Sequence, residues 1–94
     1  MRRQIDYSIL PEHMQGGMQR YIEQGINPGD FLSLILCNDF VHAAGQADGI
    51  NQFRLFDYAK FLYLEAPMVC WGSKEKVDKW IAAHEERRKN ESNQ

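Results

Sequence analysis

Nucleophilic, metal or acid–base chemistry in this chain has to draw on two cysteines, Cys37 and Cys70, three histidines, His13, His42 and His84, and thirteen acids. Cys70 is the one candidate nucleophile. It lies just ahead of an expected helix start at Ser73, where the positive end of a helix dipole and the nearby Lys74 and Lys76 lower a thiol pKa. No histidine is locally paired with it, and its neighbours Val69 and Trp71 argue for burial, so the residue reads as an inert core thiol. Metal binding needs several ligands at workable spacing. The histidines and cysteines fall on separate segments, and Cys37 and His42, five apart, do not share a helical face. The acids are scattered at ordinary surface spacing, with no pair set for general acid and base work. We expect no catalytic residue, no metal and no cofactor, and hence no enzyme.

The elements that position these residues read as helices. Pro11 and Glu12 open a first helix over 11–24, in which Met14, Met18, Tyr21 and Ile22 recur at helical spacing until Gly25 stops it. Gly16 and Gly17 in its middle mark either close approach of another chain segment or a weak point. Asn27 as cap, Pro28 at the first position and Asp30 predict a second helix carrying Phe31, Leu32, Leu34, Ile35 and Leu36, apolar nearly all round and so central. Asn38 and Asp39 can cap a short third helix through Ala44. Asn51 is the expected cap of a fourth, whose Leu55, Phe56, Ala59, Leu62 and Tyr63 form the inward face and which Pro67 ends. Ser73 caps an amphipathic last helix over 74–88, with Val77, Trp80, Ile81 and His84 on one face. Residues 1–9 form a loosely ordered arm, and the polar tail 89–94 should fray.

The fold class that follows is all-α: a single small domain, 1–94, of four to five short helices. Its expected core is Phe31, Leu34, Ile35, Leu55, Phe56, Leu62, Trp71, Val77, Trp80 and Ile81. A chain of 94 residues buries a modest share of its surface, and 12% aromatic content makes completion of the core by self-association the expectation, a homo-oligomer. Two cysteines are too few for a secreted disulfide scaffold, no segment approaches the roughly 18 apolar residues of a membrane span, and the reading is a cytoplasmic protein without a membrane partner.

Charge narrows the partners. The formal net charge is −2, but residues 4–73 hold three cations, Arg20, Arg54 and Lys60, against eight acids, a balance of −5. A phosphate backbone is repelled by that body. The second short helical pair makes a poor helix-turn-helix, because Phe40, Val41, His42, Ala43 and Ala44 offer almost nothing to read a base. The last helix, with Lys74, Lys76, Lys79, Arg87, Arg88 and Lys89, is the better nucleic-acid candidate and supports an alternative reading as a DNA-binding regulator, but Glu75, Asp78, Glu85 and Glu86 interleave with its cations. What remains is a binding surface for a protein or small ligand. Its candidates are Met68, Val69 and Trp71, ahead of the last helix, and Phe53, Tyr58 and Phe61, on the side of the fourth helix away from its inward face.

Several stretches together resemble a family of small proteins encoded by tailed bacteriophages and prophages. They are Pro11-Glu12-His13-Met14, Arg20-Tyr21-Ile22-Glu23, Gly25-Ile26-Asn27-Pro28-Gly29-Asp30-Phe31-Leu32, Asn38-Asp39-Phe40, Ala47-Asp48 with Asn51, and Cys70-Trp71-Gly72-Ser73 with Glu75-Lys76-Val77 and Trp80-Ile81. Where that family often places small polar residues between the proline and the cysteine, this chain has Met68 and Val69. The resemblance implies a phage accessory protein in the host cytoplasm, acting on a host component such as a defence system, and carries no catalytic activity with it.

Overall fold

A computed structural model of the chain describes residues 4–92. Its five α-helices are α1 (Glu12–Gln24), α2 (Asp30–Leu36), α3 (Phe40–Gln46), α4 (Leu55–Leu64) and α5 (Lys74–Ser92), joined by short 3-10 turns at Tyr7–Ile9, Asn51–Phe53 and Met68–Cys70. No strand occurs among the described residues, and the all-α expectation holds.

The central helix is α2. Its Leu32, Ile35 and Leu36 are buried, and it touches α3, α4 and α5. Helix α1 adds Met18, Tyr21 and Ile22, α4 adds Tyr58, Phe61 and Leu62, and Val77 is the buried residue of α5. Phe31, Leu34, Leu55, Trp71, Trp80 and Ile81, placed in the core by sequence, pack against it half-buried. Phe56 does not belong there at all: it is 78% exposed.

Two of the expected helix starts move. Asn27 caps nothing in α2, because its Oδ1 accepts from Gly29 N at 2.9 Å to close a local turn. Gly29, at φ +93°, then breaks away from the geometry that Pro28 would have begun, and α2 starts at Asp30. Asn51 opens a 3-10 turn rather than α4. It is pulled into the core, 2% exposed, with its Oδ1 accepting from Tyr58 Oη at 2.7 Å. Asp48 takes the capping part instead, accepting from Ile50 N and Asn51 N at 3.0 and 2.7 Å. Asp39 caps α3 as expected, receiving His42 N at 3.4 Å.

Glycine decides how α1 meets α5. Gly25 ends α1 in the left-handed region at φ +66°, its N–H donating to Tyr21 O at 2.9 Å. A Cβ there would collide with the side chain of His84, so only glycine lets α5 lie against the end of α1. Trp80 Nε1 donates to the same Tyr21 carbonyl at 3.0 Å. Gly17 resolves the question of close approach in α1, since a Cβ there would press on Leu32 of α2 at 3.3 Å.

The N-terminal arm is better ordered than expected. From Gln4 onward it lies on the bundle, with a 3-10 turn capped by Asp6 and with Ile5, Tyr7 and Ile9 half-buried. The Tyr7 ring packs 5.6 Å from Phe61, and its hydroxyl donates to Glu23 at 3.1 Å. Residues 1–3 of the arm lie outside the described residues. At the other end α5 continues through Ser92 rather than fraying from residue 89; Asn93 and Gln94 lie outside the described residues. The molecule measures 46 Å along its long axis against 29 and 21 Å across.

Candidate functional site

The link between α4 and α5 carries two exposed apolar residues, Met68 and Val69, on a backbone held by neighbouring helices. Pro67 fixes the turn entry at φ −59° as its ring requires, and Cys70 N closes the turn on Pro67 O at 3.0 Å. Tyr21 Oη, from α1, donates to Cys70 O at 2.6 Å, and Gly72 N donates to Leu36 O, at the end of α2, at 2.7 Å. Ser73 Oγ then accepts from Lys76 N at 3.2 Å and starts α5. Three helices therefore hold nine residues in place. At the tip, Met68 and Val69 stand 74% and 62% exposed.

The physical consequence is a rigid knuckle. Two apolar side chains in water gain free energy on burial, about 25 cal/mol for each Å² covered, and a backbone already fixed loses little entropy when they dock. Such a projection suits insertion into an apolar pocket of a protein, because it does not enclose a small molecule. Lys76 reaches back along this segment, its Nζ 3.5 Å from Met68 O, so the knuckle has a cation on its flank.

The remaining candidates divide. Trp71 is half-buried behind the knuckle and is part of the packing; its Nε1 is buried without a hydrogen-bond partner among the described residues. Phe53 is 82% exposed but belongs to the turn before α4. Tyr58 and Phe61 are both 0% exposed, which removes them from any binding surface. The sequence reading of α4 holds for Leu62, which is buried, and Leu55, which is half-buried, but not for the rest: Tyr58 and Phe61 face inward, while Phe56, Ala59 and Tyr63 face out. One signal in the sequence marks this. Lys60 falls four residues after Phe56 and three before Tyr63, on their side of the helix, and a lysine identifies the solvated face.

Cys70 is a core thiol. Its side chain is fully buried, and burial pushes its pKa up to about 12, so at neutral pH it stays protonated and a weak nucleophile. Burial also raises the pKa of the half-buried Cys37 thiol. His13 lies 3.0 Å from Asp48 and His42 2.9 Å from Asp39, both at the surface. No group of three or more His, Cys, Asp or Glu side chains converges among the described residues. Within α5, Lys74 is paired with Asp78 at 2.8 Å and Lys79 with Glu75 at 3.1 Å. No described helix is long and apolar enough to cross a membrane.

No protein-family model, curated protein or solved structure matches this chain.

Proposed function

We propose that the chain is a non-enzymatic binding protein that docks a protein partner through the Met68–Val69 knuckle. The observation that carries this reading is the combination of two exposed apolar side chains with a backbone pinned by Tyr21, Leu36 and the Ser73 cap. Evolution of a soluble surface tends to remove such side chains unless they are used. The resemblance to phage-encoded proteins supplies the setting: an accessory protein that engages a host component, for which a defence system is the natural candidate, in the host cytoplasm. The paired lysines of α5 support a protein partner over DNA, since Asp78 and Glu75 already face two of the cations a phosphate would need.

The test is capture from host lysate by the tagged chain, run beside a Met68→Ser, Val69→Ser variant. Both changes lie at exposed positions and leave the fold intact, which circular dichroism checks. A host protein retained by the parent and lost by the variant is the expected result. Equal retention by both excludes the knuckle as the contact. Retention of nucleic acid, lost when Lys74, Lys76 and Lys79 become glutamine, favours the DNA-binding alternative.

A further inference from the structure

Helices α2 and α5 share a groove of about 530 Å³ that neither Met68 nor Val69 lines. Its walls are two matching stripes, residues 30, 33, 34 and 37 along α2 and residues 74, 77, 78 and 81 along α5. Each stripe follows the i, i+3, i+4, i+7 spacing of one helical face. Cys37 keeps that spacing although it caps α2, because its N–H still donates to Ser33 O at 2.9 Å. The bond from Gly72 N to Leu36 O sets the start of α5 beside the end of α2. The floor is apolar: Val77 is buried, and Leu34 and Ile81 are half-buried.

Charge selects what the groove takes. Among the described residues, the carboxylates Asp30, Asp39 and Asp78 line it against one cation, Lys74. Lys74 is engaged with Asp78 at 2.8 Å, and Asp39 faces His42 at 2.9 Å. Asp30, exposed at the first turn of α2, has no hydrogen bond or ion pair among the described residues. The surrounding body, residues 4–73, holds a balance of −5, so the groove attracts cations and repels anions. A small ligand needs a cleft that covers most of its surface, whereas this groove is open to solvent. Two facing stripes of two turns each instead match a third helix, which seats its own i, i+3, i+4 and i+7 residues between them. We propose that this groove receives an amphipathic helix of a protein partner, with lysine or arginine flanking its apolar stripe. The apolar residues cover Leu34 and Ile81, and the cations meet Asp30 and Asp39, which flank α2.

Cys37 reports on the groove without any substitution, since it lines the wall half-buried while Cys70 is fully buried. The peptide used is a helix-forming chain of leucine and lysine, about 14 residues or four turns long, with leucine at the i, i+3 and i+4 positions. At about ten times its dissociation constant, measured by fluorescence anisotropy, it should slow alkylation of Cys37 by N-ethylmaleimide about tenfold, read by mass spectrometry. The same peptide with glutamate for lysine should give no protection. Asp30→Lys, at an exposed position, should weaken binding of the lysine peptide about tenfold with unchanged helical content. No protection by the lysine peptide, equal protection by both peptides, or an unchanged affinity in Asp30→Lys would each overturn the proposal. So would protection by octylamine alone, which assigns the groove to a small amphipathic amine, and protection that grows with protein concentration without peptide, which assigns it to a second copy.

Discussion

Tyr58 and Asn51 are tied to each other inside the core. Tyr58 lies at 0% exposure and Asn51 at 2%, and the tyrosine hydroxyl donates to the amide oxygen. A buried amide without a partner is costly, so Tyr58→Phe should lower stability by about 1–3 kcal/mol, measured by urea unfolding. Trp71 gives the opposite case. Its buried indole N–H has no partner among the described residues, so Trp71→Phe, which keeps most of the ring volume and removes that donor, should cost less than about 1 kcal/mol, whereas Trp71→Ala should cost about 3 kcal/mol through lost packing. Equal losses in the two variants would mean that the N–H is satisfied.

Helix ends, rather than helix middles, account for most of what sequence reading could and could not see. Gly25, Asp39 and Ser73 act where their chemistry places them, since each cap depends on its own residue and its immediate neighbours. Asn51 could not be placed in this way. Its partner Tyr58 sits seven residues on, and the choice between capping and burial is settled by tertiary contact. The same holds for α4, whose two faces are both apolar; only Lys60 distinguishes them. The exposed Met68 and Val69 were legible as candidates because they break the polar character expected of a link, but the hydrogen bonds that fix them come from Tyr21 and Leu36, 49 residues away in the first case. Two substitutions test the capping account. Ser73→Ala should cost about 1 kcal/mol. Gly25→Ala should cost more, about 2 kcal/mol, because it adds a Cβ at positive φ against His84; thermal unfolding of the two variants side by side gives the order.

At the scale of the whole molecule, the bundle is a frame that holds two apolar surfaces, the knuckle and the outward face of α4, out to solvent while its charges hold the surface turns. Asp48 is one such charge. Its bonds from the Asn51 backbone N–H, then from His13 and the Ile50 N–H, hold its carboxyl below the usual carboxylate range, and His42 does the same for Asp39. A carboxyl whose folded pKa is depressed contributes stability above its unfolded pKa of about 3.9 and loses that contribution as pH falls through the folded value. The thermal midpoint should therefore drop as pH is lowered below about 4, and Asp48→Asn should be less stable at neutral pH with a shallower decline in acid. The two surfaces make the central claim separable. The decisive measurement is the affinity of a captured partner for three chains: the parent, Met68→Ser with Val69→Ser, and Phe56→Ser with Tyr63→Ser. Docking through a preorganised knuckle predicts a loss of about 30-fold or more in the first variant, corresponding to about 2 kcal/mol, and little change in the second. An unchanged affinity in the Met68, Val69 variant would contradict the account.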